Sequence, residues 1–295
     1  MTEIITEQRN EHSADIDKAD SLGIISIINN EDKTVANAVE KKLPEIAAAV
    51  DIIAEKMLAG GRLVYCGAGT SGRLGILDAC ECYPTFGVDE SKVVALIAGG
   101  SAAMVRAVEG SEDNMESGVS DLADINFCDK DVLVGIAACG NTPYVLAAAE
   151  YAKKTGAVVI ALTCAGLTKL SDYADIDISP ITGPEVLAGS TRMKSGTAQK
   201  MILNMISTAV MIRLGKVYKN YMVDLRVTNQ KLAKRALRIV GEVTGANEEA
   251  ARQALEKCNN SVKHAIVSIL CGVDFNEAER LLSKNGGNVG KVVGV

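Results

Sequence analysis

Five short apolar runs constrain this chain more than any other feature. They occupy residues 63–66, 93–97, 132–137, 158–163 and 176–178. Each is rich in β-branched residues and almost continuously apolar rather than alternating. That is the pattern of a parallel strand covered on both faces. Segments of helical period separate several of the runs, which implies right-handed βαβ crossovers. The expected fold is α/β, with a doubly wound, three-layer, parallel-sheet domain. In such folds ligands bind outside the C-terminal ends of the strands.

The flanks read differently. Residues 1 to about 32 are polar and irregular apart from an apolar stretch at 22–28. Asp32 is expected to cap one long helix through residue 58, which Gly60-Gly61 ends. Further helices are expected over 195–214 and about 229–243. From Ala246 onward, short helical segments broken by Asn and Gly suggest a small all-helical module. The expected division is an N-terminal segment and helix (1–52), the sheet domain (53–216), a connecting helix (217–245) and the C-terminal helical module (246–295).

Composition excludes several functions. The formal net charge is −6 and no long Lys/Arg run occurs, so nucleic acid is not an expected partner. Aromatic residues make up 3% of the chain and Trp is absent, so ring stacking is not the main binding device. The opening MTEIITEQRNEHSADID is too polar and acidic for a signal peptide. No run of about 18 apolar residues occurs, so no membrane span is expected. The eight cysteines are scattered and are expected to be buried, reduced thiols. Cys80-Glu81-Cys82 is a CxC with no second cluster or nearby His, so no metal site is expected. The two histidines, His12 and His264, lie far from any Gly-rich loop. An acid and a base in this chain are therefore expected to be carboxylates.

Three segments beside the expected strand ends are rich in Gly, Ser and Thr. The first, after the 63–66 run, is 67–75, with Gly69, Thr70 and Ser71 placed to meet an anion at the start of a helix. Its letters also fit a dinucleotide-binding turn. That reading needs an acidic residue ending the second strand, and VVALIAGG ends in glycines. The second is Cys139-Gly140-Asn141-Thr142, before a helix opened by Pro143. The third, 189–197, joins Ser190 and Thr191 to two cations, Arg192 and Lys194, ahead of a long helix. Any one alone reads as helix capping; three in one α/β domain point to a bound anion.

These segments resemble the sugar isomerase (SIS) domain family of phosphosugar-binding proteins. GAGTSGRLGILDACECYPTFG, LIAGG, AVEGSEDN, AACGNTPYV, GSTRMKSGTAQK and MVDLRVTN, with TEQRN and INNEDKTV near the start, are similar to N-acetylmuramic acid 6-phosphate etherases. The resemblance covers nearly the whole chain. It implies a cytoplasmic homodimer without metal or organic cofactor. It also implies cleavage of the D-lactyl ether of N-acetylmuramic acid 6-phosphate to N-acetylglucosamine 6-phosphate and D-lactate. The family's acid glutamate falls on Glu81 and its second catalytic glutamate on Glu112. Two departures stand out. Cys139-Gly140-Asn141-Thr142 replaces the family's frequent Ser-Gly-Arg-Thr, exchanging a hydroxyl for a thiol and a guanidinium for an amide. ECYP replaces the expected ECPP.

The chemistry fits two carboxylates. Ring opening exposes an aldehyde that acidifies the C2 proton; a base removes it while an acid protonates the departing lactate oxygen. Cys80, Cys82 and Tyr83 are expected to give Glu81 an apolar setting suited to the acid, while Glu109 and Asp113 flank Glu112. A helix from Ser71 to Glu81 spans about 15 Å. That exceeds a sugar phosphate, so Glu81 is not expected to serve the phosphate at its own helix N-terminus unless the helix is cut short; a site shared across a dimer would solve this. Two other readings remain: a non-enzymatic phosphosugar sensor, like the mammalian glucokinase regulatory protein, and an aldose–ketose phosphosugar isomerase. Retention of both glutamates argues against the first. Similarity outside the phosphate loops argues against the second.

Overall fold

The computed structural model describes residues 4–294. Its helices are α1 (Ser21–Glu40), α2 (Leu43–Leu58), α3 (Gly69–Phe86), α4 (Ala102–Val105), α5 (Met115–Asp124), α6 (Pro143–Lys154), α7 (Lys194–Arg213), α8 (Gln230–Thr244), α9 (Glu248–Lys257), α10 (Val262–Cys271), α11 (Phe275–Lys284) and α12 (Val289–Val293). Five parallel strands, β1 (Leu63–Gly67), β2 (Val93–Ile97), β3 (Val132–Ile136), β4 (Val158–Leu162) and β5 (Ile176–Ile178), form one sheet in the order β2-β1-β3-β4-β5. All five apolar runs are strands of this sheet, as expected. Leu63 of β1 pairs with Val93 of β2 on one side and Val132 of β3 on the other.

Every residue of β1 and β3 is buried, because helices cover both faces. Val64, Cys66 and Leu133 enter an apolar cluster with Tyr144, Val145 and Ala148 of α6. Tyr65, pointing the other way by the two-residue period of a strand, donates its hydroxyl to Asp78 of α3 at 2.9 Å. Burying each of these large apolar side chains stabilises the sheet by about 1.5–3 kcal/mol.

The N-terminal helix differs from the sequence expectation. Asp32 lies inside α1, and the N-cap is Asp20, which accepts the Gly23 N–H at 2.8 Å. One long helix becomes two because Pro44 lacks an N–H and fits only in a first turn, so the chain restarts at Leu43. α2 then runs unbroken through residue 52. The expected connecting helix over 217–245 begins only at Gln230, capped by Asn229; before it lies a two-stranded antiparallel hairpin, β6 (Val217–Tyr218) and β7 (Tyr221–Met222).

By packing, the described chain divides into two units. One comprises the residues up to Ala79 with Ser91–Ser207, and holds the sheet. The other comprises Cys80–Glu90 with the residues from Thr208 onward. In the second unit α10 is central, packing against α8, α9, α11 and α12, and Val262, Ala265, Ile266 and Val267 are fully buried. Among the described residues, no helix is long and apolar enough to cross a membrane.

Candidate functional site

The strand order reverses direction at β1. Its crossover to β2 uses α3 on one face, while β3 leaves through α6 on the other. The loops leaving the C-terminal ends of β1 and β3 therefore flank the switch point of the sheet, where such folds bind ligands. The first two predicted segments are these two loops.

The first loop is tight. A side-chain carbon on Gly67 would lie 2.7 Å from the Gly72 nitrogen, so the turn closes only with glycines. The first backbone bond into α3 runs from Gly72 N–H to Ala68 O at 3.1 Å. The amides of Gly69, Thr70 and Ser71 therefore precede the helical ladder, at the positive end of the helix dipole. The second loop is equally constrained. Gly140 has φ +67°, and a side-chain carbon there would lie 2.2 Å from the Thr168 hydroxyl. Thr142 is the N-cap of α6 but makes no side-chain cap bond, and the first bond into the helix is Leu146 N–H to Thr142 O. Cys139, Asn141 and Thr142 are all half-buried. Two helix N-termini thus stand open beside neighbouring strand ends, an arrangement suited to an anion.

The third segment is built differently. The N-terminus of α7 is already occupied by a carboxylate of the same chain. Glu185, fully buried, accepts the Lys194 and Ser195 N–H groups at 2.8 and 2.9 Å. The next two amides, Gly196 and Thr197, bond to Thr191 O and Met193 O. The four orphan donors of this helix start are therefore satisfied. Lys194 does not stand free either. Its ammonium, 3% exposed with the rest of the residue, donates to Glu31 at 2.6 Å and to Pro184 O at 3.0 Å. Glu31 also accepts from Asn10 at 2.8 Å and contacts His12 Nδ1 at 2.7 Å. Burial raises the Glu31 carboxyl, but these partners outweigh it and hold it down at about 2. Lys194 is thus a buried ion-pair partner, not the free cation expected, because sequence does not reveal which acid 163 positions away will meet it. Ser190 and Thr191 are half-buried and Arg192 is exposed.

Glu112 lies in a short turn, Ser111–Asp113, on the connection leaving the C-terminal end of β2. It is exposed, and its turn packs against α6. Arg73 of α3 donates to Ala103 O at 3.0 Å and to Arg106 O at 3.3 Å, holding the connection that carries Glu112. Glu81 lies on the last turns of α3, in the second unit. The apolar setting expected for it is absent: Cys82 is buried, but Glu81 and Cys80 are exposed and Tyr83 is half-buried. One turn earlier, Asp78 accepts from Asn204 at 2.7 Å and Ser207 at 3.0 Å as well as from Tyr65; burial pushes its carboxyl up against those bonds.

None of the eight cysteines is joined in a disulfide, but Cys80, Cys128 and Cys271 are exposed, so burial holds only for part of the set. Burial pushes Cys66 and Cys164 up to about 12, which leaves them unreactive. Among the described residues no group of three or more His, Cys, Asp or Glu side chains is arranged to hold a metal. His12 faces Glu31, and His264 faces Glu279 at 2.5 Å. Sequence reasoning missed Glu185, Glu31 and Arg73. The available signal for Glu185 was a single acid set in the apolar stretch ITGPEVL.

Residues 116–209 match the SIS domain family. Residues 45–153 match the N-terminal SIS domain of glucokinase regulatory protein, and 219–265 match its C-terminal lid domain. Among solved structures, a putative phosphosugar isomerase from Bacteroides fragilis overlays with a TM-score of 0.52 at 20% identity, covering 69% of this chain and 98% of that one. This likeness supports the fold alone. The chain is 52% identical over 292 residues to N-acetylmuramic acid 6-phosphate etherase 1 of Bacillus licheniformis, covering 99% of this chain and 96% of that one. It is 54% identical over 287 residues to the N-acetylmuramic acid 6-phosphate etherase of Photorhabdus laumondii, covering 97% and 95%. Likeness of that extent, on an SIS sheet with two open helix ends at its switch point, leads to one conclusion: the chain belongs to the N-acetylmuramic acid 6-phosphate etherase family.

Proposed function

We propose that this protein is a carbon–oxygen lyase that cleaves the D-lactyl ether of N-acetylmuramic acid 6-phosphate. The products are N-acetylglucosamine 6-phosphate and D-lactate, and the setting is the recycling of cell-wall amino sugars in the cytoplasm. The observation that carries this reading is identity of 52–54% over nearly the whole chain to etherases of that name. The open amides of the first loop and of α6 support it by offering a place for the phosphate. Thr70, Ser71 and Thr142 would add hydroxyl donors, and Arg192 a cation from the third segment.

In the mechanism, the opened sugar presents a C1 aldehyde. A base removes the C2 proton, a C2–C3 double bond forms, and the C3–oxygen bond breaks as an acid protonates the lactate oxygen. Water then adds at C3 and a proton returns to C2, so the net change is hydrolysis. We assign acid and base to Glu81 and Glu112, which the family resemblance singles out. Their exposure, with the dimer that the family resemblance implies, favours a homodimer in which Glu81 completes the partner's site. The test is lactate release from N-acetylmuramic acid 6-phosphate. Glu81→Gln and Glu112→Gln should each lower it by about 10²-fold or more while preserving the circular dichroism spectrum. Absence of lactate from the unmodified protein, with sugar phosphate still bound, would favour a sensor instead.

A further inference from the structure

A buried glutamine stands directly behind the first anion loop. Gln199, on α7, has no exposed surface, and its Oε1 accepts the Ser71 hydroxyl at 2.9 Å. The two helices are in close contact here: a side-chain carbon on Gly196 would lie 3.5 Å from Thr70 Cγ2. Ser71 itself retains 8% of its surface and is the last of the three residues whose amides open α3. In this arrangement its only proton is directed inward, so the hydroxyl has none to offer a phosphate. Meanwhile Gln199 Nε2 is buried with no hydrogen-bond partner, an unfavourable state for an amide N–H.

One movement pairs the nitrogen and frees the Ser71 proton, and it leaves in the unpartnered position a carbonyl oxygen, which tolerates under-satisfaction better than an N–H does. A half-turn of the amide about its last side-chain torsion exchanges the oxygen and nitrogen edges. Nε2–H then donates to Ser71 Oγ, and the Ser71 proton is free to point out of the protein. We infer that Gln199 is a positioning residue for the substrate phosphate. With a phosphosugar bound, its amide N–H donates to Ser71 and so directs the Ser71 hydroxyl proton at the phosphate. This inference rests on the first loop being the phosphate cradle. Gln199 never touches the ligand and acts only through Ser71.

The experiment measures binding of N-acetylglucosamine 6-phosphate by calorimetry, alongside KM and kcat. Gln199→Glu offers acceptors only and keeps the Ser71 proton turned inward; it should weaken binding about tenfold or more and raise KM without lowering kcat. Gln199→Met should weaken binding about threefold in the parent, yet change nothing in a Ser71→Ala background, because its effect passes through that hydroxyl. If Gln199→Glu does not fold, the Met/Ala cycle decides alone. Binding by Gln199→Glu within twofold of the parent would overturn the inference. So would a loss from Gln199→Met that is the same with and without Ser71, or a matching fall in kcat, since a merely structural role predicts those. Failure of the unmodified protein to bind any sugar phosphate would overturn the cradle reading and this inference together.

Discussion

Lys194→Met separates two roles for a cation in the third Gly/Ser/Thr segment. In the structure Lys194 Nζ sits 2.6 Å from Glu31 and 3.0 Å from Pro184 O, in a site where its side chain is 4% exposed and that of Glu31 9%. Removing one partner of a buried pair leaves an uncompensated charge, at a cost of about 3–5 kcal/mol. Glu31 would keep Asn10 and His12, so the lower end applies, about 3 kcal/mol. For a chain of this size that lowers the unfolding temperature by roughly 6–12 °C. Replacing both residues, Glu31→Gln with Lys194→Met, removes the stranded charge and should recover much of the loss. At a temperature where the variant is folded, KM for N-acetylmuramic acid 6-phosphate should change less than about threefold. A lysine contacting the phosphate would be worth about 1.5–3 kcal/mol, or a rise in KM of more than about tenfold. A rise of that size at an unchanged unfolding temperature would refute the buried-pair argument.

Glu185→Ala would strand two buried N–H groups at the start of α7 and should cost about 2–6 kcal/mol in urea titration; a change under about 0.5 kcal/mol would show that the cap is dispensable. Glu31 titrates at about 2 when folded against 4.5 ordinarily, so its contribution is complete above about pH 4.5 and fades as pH falls toward 2, by roughly 3 kcal/mol in all. Urea midpoints at pH 5 and 3 should therefore diverge more for the parent than for Glu31→Gln, and equal divergence would discount the carboxylate. Mixing Glu81→Gln chains with Ser71→Ala/Thr142→Ala chains should restore lactate release in mixed dimers, one site of which carries neither lesion. Confirmed subunit exchange without any gain would place each site within one subunit.

The sheet was legible because its signal is local. Each strand is an apolar run bounded by a turn, and β2 and β5 match the expected limits. The loops after β1 and β3 were legible for the same reason, since glycines at 67, 69, 72 and 140 mark the turns themselves. The break between α1 and α2 was also local, yet the apolar period ran across Pro44 and masked it. What the sequence did not disclose is long-range pairing. Glu31 with Lys194, Glu185 with the α7 amides and Ser71 with Gln199 join residues far apart in the chain, and no periodicity announces them. The error at Glu81 has a different, local cause: neighbours in sequence at 80 and 82 point to different sides of α3, one exposed and one buried.

The most direct test of the proposed chemistry follows the oxygen atoms. N-acetylmuramic acid 6-phosphate is incubated with the protein in water enriched in oxygen-18, and both products are weighed by mass spectrometry. Elimination breaks the bond between C3 and the ether oxygen, so lactate should carry that original oxygen. The added water should place one oxygen-18 on the C3 hydroxyl of N-acetylglucosamine 6-phosphate, with an unenzymed control correcting for aldehyde exchange at C1. Label in the lactate hydroxyl, with none gained at C3, would mean that the bond on the lactyl side breaks, and would contradict the account.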